Sequence, residues 1–151
     1  DVLGSRGLGD VYKRQEVDRE CENFKIPKLT IVTFVENACV HGIESKSSPG
    51  WIFVRIGRQE EGLEIEIEDT GSGMTEAKLA KLQNNMRNAS IEMLKGGGRV
   101  GIINACVRLK MVTENRAEFC VEGEEGVGTT VTIRIPCLQE GKTDAESIVS
   151  R

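Results

Sequence analysis

The sequence predicts an α+β domain, a two-layer α/β sandwich in which a mixed, mostly antiparallel sheet carries its helices on one face. Three observations lead there. Leu63-Glu-Ile-Glu-Ile-Glu-Asp69 alternates aliphatic and acidic residues, the period-two pattern of a strand with one buried and one wet face. Ile31, Phe34, Val35, Ala38 and Cys39 recur at i, i+3, i+4, i+7 and i+8, the apolar stripe of an amphipathic helix. Strand-like runs come in adjacent pairs with helical stretches between the pairs, which favours hairpins over parallel crossovers.

The elements follow in order. Asp1 to Gln15 shows no apolar periodicity and resembles translated adapter sequence, so residues 1–15 are set aside as a non-native leader. The domain is expected over 16–138, and 139–151, polar and aperiodic, is expected to fray. Pro27 opens the first helix, and Gly42 ends it. Thr33, Asn37 and His41 stack at i, i+4 and i+8 beside its apolar stripe. Ser45 to Gly50 is a loop, and Trp51 to Arg58 is a strand with Ile52, Val54 and Ile56 on one face. Glu60-Glu61-Gly62 turns it back into the Leu63 strand. Thr75 caps a short helix running to Leu82, and Gln83 to Gly98, rich in Asn and ending in three glycines, reads as a mobile loop. Val100 to Met111 is helical again. Two strands, Ala117 to Val121 and Val131 to Ile135, close the fold, and Pro136 stops the last.

Composition narrows the function. The length of 151 residues suits one domain, and 29% charged residues with a net charge of −4 describe an ordinary soluble surface. Lys and Arg are scattered, which excludes a nucleic-acid face. No apolar run approaches the ~20 residues needed to cross a bilayer. Five cysteines without a CxxC pair and a single histidine argue for reduced core thiols and against zinc.

Asp69 carries the first functional signal. Strand phase aims it inward with Leu63, Ile65 and Ile67, where a carboxylate is costly unless something pairs with it. Gly71 and Gly73 behind it let backbone approach a bound molecule. Two nucleotide motifs nearly match and fail on context. Gly96-x-Gly98-x-x-Gly101 lacks a βαβ unit, and Gly123 to Thr130 has Thr129 in place of the phosphate-binding Lys and leads into a strand.

Four blocks stand in sequence: Phe34-Val-Glu-Asn-Ala-Cys-Val-His-Gly42, Asp69-x-Gly71-x-Gly73, a glycine-rich stretch ending in Val100-Gly101-Ile-Ile-Asn104, and Gly126-x-Gly128-Thr-Thr-Val131. The series resembles the ATP-binding domain, of Bergerat-type fold, in the superfamily that joins gyrase, the ninety-kilodalton heat-shock chaperone, sensor histidine kinases and mismatch-repair ATPases. Val35-Glu-Asn-Ala38 with His41-Gly42, and Asn104-Ala-Cys-Val-Arg108-Leu109, are similar to the LytS/YesM type of sensor histidine kinase. The resemblance covers about residues 24–137.

That resemblance implies ATP and Mg²⁺ as ligands. Asn37 would hold the metal that bridges the phosphates, with Glu36 and His41 as its catalytic neighbours and His41 contacting phosphate rather than accepting it. Asp69 would accept a hydrogen bond from the exocyclic amine of adenine, a role suited to an acceptor-only group. Gly71, Gly73 and Met74 would pass under the base, with Thr129 and Thr130 near it. Gly98, Arg99 and Gly101 would border a lid and the phosphate-facing start of the next helix. The sequence departs from the family pattern at Val40, where many members carry Lys, and at Arg99, often glycine. Thr33 replaces the water-activating Glu of the hydrolytic branches, which favours phosphotransfer over hydrolysis. The implied function is the cytoplasmic catalytic domain of a two-component sensor histidine kinase. It would donate the γ-phosphate to a histidine on a separate dimerisation domain, signal to a response regulator, and meet a membrane only through upstream segments. An ATP-driven conformational switch and an anti-sigma-type serine kinase share the fold and are the alternatives.

Overall fold

A computed structural model of the chain describes residues 11–21, 25–26, 30–43, 49–60, 62–95 and 101–136. A five-stranded sheet has the order β1-β2-β3-β5-β4, formed by Val11–Val17, Gly50–Gln59, Gly62–Asp69, Gly128–Pro136 and Glu118–Glu124 respectively. The helices are α1 (Thr30–Asn37), α2 (Glu76–Arg87), α3 (Ile91–Lys95) and α4 (Gly101–Val112). β2 with β3, β3 with β5 and β4 with β5 pair antiparallel; β1 pairs parallel to β2. The expected α+β class and mostly antiparallel sheet are therefore what the chain forms, with five strands among the described residues where the sequence indicated four.

β1 includes Val11 to Gln15, which the sequence placed outside the domain and which pair along β2 from Gly50 to Val54. An edge strand needs only backbone hydrogen bonds to one neighbour, so it forms without apolar alternation. Stacking of Tyr12 on Trp51, ring centres 5.0 Å apart, adds to the pairing.

One face of the sheet makes the core. Ile52 and Val54 of β2, Leu63, Ile65 and Ile67 of β3, Phe119 and Val121 of β4, and Val131, Ile133 and Ile135 of β5 are all buried. Phe34 of α1, Met86 of α2, and Cys106 and Leu109 of α4 pack against them. The acidic alternation of β3 faces the other way. There Arg55 meets Glu66 at 2.6 Å and Glu68 at 3.0 Å, and Arg134 meets Glu64 at 2.9 Å. Arg55 and Glu66 are direct cross-strand partners, which explains the pairing better than any large stabilisation by such half-exposed ions.

The stretch 83–98 is not one long loop. α2 continues to Arg87 and α3 occupies Ile91–Lys95, while 96–100 lies outside the described residues. Asn84 lies on the exposed side of α2, whereas Met86 is fully buried and Ala89 nearly so. Polar composition on a solvent face hid an apolar anchor every few residues. Thr75 caps α2 by accepting from the Lys78 N–H at 3.3 Å. α4 ends in a Schellman-type turn: the Asn115 N–H donates to the Lys110 carbonyl at 2.7 Å, with Glu114 at φ 53°.

Of the cysteines expected in the core, Cys106 is fully buried, Cys39 is half-buried, and Cys120 alternates with Phe119 and Val121 onto the open face. Burial pushes the Cys106 thiol up from 9.0 to about 12, against a smaller lowering by Lys110. The folded thiol thus ionises later than the unfolded one. Its stabilising contribution is complete below pH 9.0 and is lost as pH rises towards about 12. The melting temperature of the wild type is expected to fall more steeply across that window than that of Cys106→Ala, as alkaline thermal melts would measure.

Candidate functional site

Asp69 closes β3 and points to the helix side of the sheet with only 7% of its surface exposed, as the strand phase predicts. Its Oδ1 accepts the Gly71 N–H at 2.8 Å, an Asx-type turn that fixes the carboxylate's orientation. Thr129 lies directly opposite on β5 and is equally buried. On the far side stands α1, whose apolar stripe turns Phe34 onto the sheet and places Asn37 at its last helical position.

These groups meet in one small cavity. Asp69, Thr129 and Asn37 supply its polar atoms. Ile67 and Val131 form its sheet wall, Phe34 and Ala38 its helix wall, and Met74 and Leu82 its outer wall. The cavity measures about 20 Å³, room for one water, so a larger planar ligand enters only as a wall shifts. Met74 and Leu82 are the half-exposed walls and turn most easily. Among the described residues, wider clefts of about 480, 520 and 540 Å³ open elsewhere on the surface. In them Arg134 is paired with Glu64 and Lys110 with the Arg87 and Ala89 carbonyls, and none is lined by a buried carboxylate.

Gly73 of the second block and Gly128 of the fourth each pack closely on the other block's side of the cavity. At Gly73, with φ +67°, an added Cβ would lie 2.0 Å from the Glu124 carbonyl oxygen. At Gly128 it would lie 2.0 Å from the carbonyl oxygen of Asp69. The Gly126 N–H donates to the Ser72 carbonyl at 2.7 Å. The β4–β5 turn therefore rests on the loop that follows Asp69, and the two blocks brace one edge of the cavity.

From Ala38 to Ile43 the first helix winds as a π-helix, a widening common at functional sites. It changes the residues per turn, so the α-helical stacking of His41 below Asn37 no longer follows. The His41 side chain lies outside the described residues, as do Gly98 and Arg99. Glu36 is exposed and does not line the cavity, because it sits about 100° round the helix from Asn37. Strand alternation turns Thr130 to the opposite face, across from Glu68, so it does not line the cavity. Gly101 starts α4 beside α1, its added Cβ 3.8 Å from Thr33 Cγ2, away from the cavity lining. Asn37, Asp69, Met74 and Thr129 are brought together, framed by Gly71 and Gly73. Leu82 and Val131 were missed because an apolar residue on a helix or strand carries no mark of the cavity it faces.

As a metal donor, Asn37 offers one hard carboxamide oxygen, suited to Mg²⁺ only when other oxygens complete the shell. Among the described residues no group of three or more His, Cys, Asp or Glu could hold a metal by itself. The donor chemistry fits an ion that arrives with phosphate ligands.

Residues 27–139 match the family model of the histidine kinase-, DNA gyrase B-, and HSP90-like ATPases. The chain belongs to this family. Among relatives of this ATPase domain, sensor histidine kinase YesM of Bacillus subtilis is 26% identical over 125 residues, 83% of this chain and 19% of YesM. Sensor protein LytS of Staphylococcus haemolyticus is 29% identical over 120 residues, 80% of this chain and 20% of LytS. The chain thus spans about a fifth of either protein. In fold, the ATPase domain is similar to the histidine kinase domain of a blue-light activated kinase from Erythrobacter litoralis, with TM-score 0.56 and 22% identity over 87% of this chain and 52% of that one. The catalytic domain of histidine kinase ThkA gives 0.54 and 15% over 83% and 78%. Among the described residues, no helix of the domain is long and apolar enough to cross a membrane.

Proposed function

We propose that this domain binds Mg²⁺·ATP and presents the γ-phosphate to a histidine on a separate dimerisation domain. The observation that carries the reading is the buried Asp69 carboxylate sharing one slot with Asn37 and Thr129 among apolar walls. In this reading adenine enters between Met74 and Leu82 on one side and the sheet on the other. The Asp69 carboxylate, held in register by the Gly71 N–H, accepts from the adenine amine. Thr129 flanks it. Asn37 faces the phosphate end and supplies an oxygen to the metal. Bound Mg²⁺ would neutralise phosphate charge during transfer.

The transfer moves the γ-phosphoryl group from ATP to an imidazole nitrogen, with ADP as the leaving group. The domain's contribution is positioning and charge compensation rather than covalent chemistry. Thr33, which cannot serve as a base for water, keeps the phosphoryl group for the histidine. A response regulator would receive it next; the structural relative ThkA has been solved in complex with the response regulator TrrA.

The test is titration of a fluorescent ATP analogue with and without Mg²⁺. Mg²⁺ should tighten binding to the wild type. Asn37→Ala should abolish that dependence and weaken binding in Mg²⁺ by about tenfold or more, as loss of metal-supporting groups commonly does. An equal response to Mg²⁺ in both proteins would overturn the assignment.

A further inference from the structure

Gln83 spans from α2 to the edge of the sheet and makes both hydrogen bonds that a carboxamide can make to a strand. Its Nε2 donates to the Phe119 carbonyl at 2.8 Å, and its Oε1 accepts the Val121 N–H at 2.8 Å. β4 is an edge strand, with β5 on its inner side only, so these two backbone groups face outward. The amide mimics one residue of a neighbouring strand, fixing α2 against β4 in register and direction.

Gln83 follows Leu82 directly, and Leu82 forms the outer wall of the cavity. Val121 pairs with Val131, which lines the sheet wall. The clamp therefore ties the two walls between which a nucleobase would lie. We propose that Gln83 is a positioning residue that sets the width of this slot and so its selectivity for adenine, an inference that rests on the ATP-binding reading above. With the α2 backbone held, the slot opens only by rotation of the Met74 and Leu82 side chains. Without the clamp, α2 drifts and the slot accepts a base of different edge pattern.

The experiment measures binding of fluorescent adenine and guanine nucleotide analogues to the wild type, Gln83→Ala, Gln83→Glu and Lys110→Met. Gln83→Glu keeps the side-chain length and the acceptor for Val121 but cannot donate to Phe119 when ionised. Lys110→Met is the stability control: its ammonium bonds the Arg87 and Ala89 carbonyls at the far end of α2, away from the slot. Both Gln83 variants should lose about fivefold or more of the adenine-over-guanine preference, the scale of one neutral hydrogen bond. Lys110→Met should keep that preference even where its melting temperature falls as far. Unchanged preference in the Gln83 variants overturns the inference, and so does an equal loss in Lys110→Met. Absence of adenine-nucleotide binding by the wild type overturns the ATP reading itself, and this inference with it.

Discussion

Asp69→Asn is expected to weaken binding of an ATP analogue by about 10- to 100-fold, the range for losing a hydrogen bond to a charged group. The substitution is nearly isosteric. Its amide oxygen still accepts the Gly71 N–H, so the turn after β3 and the melting temperature should change little. What changes is the edge offered to the base. The carboxylate accepts on both oxygens, whereas the carboxamide places an NH₂ donor where the adenine amine also donates. Two donors then face each other in a slot walled by Ile67, Phe34 and Val131, where an unmatched donor is costly. Guanine carries a carbonyl where adenine carries its amine, so the same NH₂ gives it a new partner. The adenine-over-guanine ratio should therefore fall further than adenine affinity alone. Competitive titration of both nucleotides against a fluorescent analogue measures the ratio, and an unchanged ratio with a stable fold would remove Asp69 from the site.

The inward aim of Asp69 was legible because strand alternation is rigid: three aliphatic residues fix the face, and the fourth position follows. The same rule separates Thr129, in the slot, from Thr130, on the open face, but the apolar alternation that marks the strand starts only at Val131, three residues after β5 itself begins at Gly128. β1 left no signal, since an edge strand paired through its backbone needs no apolar pattern. The last turn of α2 and all of α3 were obscured by exposed polar side chains around Met86 and Ala89. The π-helical segment after Asn37 lies against β2, β3 and β5, and no local pattern in Ala38–Ile43 marks its winding. Nor does a glutamine in a helix announce a clamp on a strand three elements later.

Gly73→Ala is expected to be the most disruptive small substitution in the site, and Gly126→Ala provides its control. Both glycines hold positive φ, +67° and +84°, so an alanine at either one bears the left-handed backbone cost of about 1–2 kcal/mol. Their surroundings differ. The Cβ at Gly126 would meet nothing within 4 Å, whereas at Gly73 it would lie 2.0 Å from the Glu124 oxygen and 2.8 Å from its carbon. Those are backbone atoms, which no rotamer change can move aside. Either the β4–β5 turn lifts, breaking the Gly126 to Ser72 hydrogen bond, or the loop after Asp69 retreats and takes Met74 with it. Steric and conformational costs together suggest about 2–5 kcal/mol for Gly73→Ala against about 1–2 for Gly126→Ala. In thermal melts the first should lower the midpoint by roughly 10 °C or more and the second by a few degrees. Nucleotide affinity should separate them again at a temperature where both remain folded. Gly126→Ala leaves the slot intact, while Gly73→Ala displaces the Met74 wall and loses ATP-analogue binding. Equal melting shifts in the two variants would mean that the β4–β5 turn does not rest on the Asp69 loop as the geometry requires.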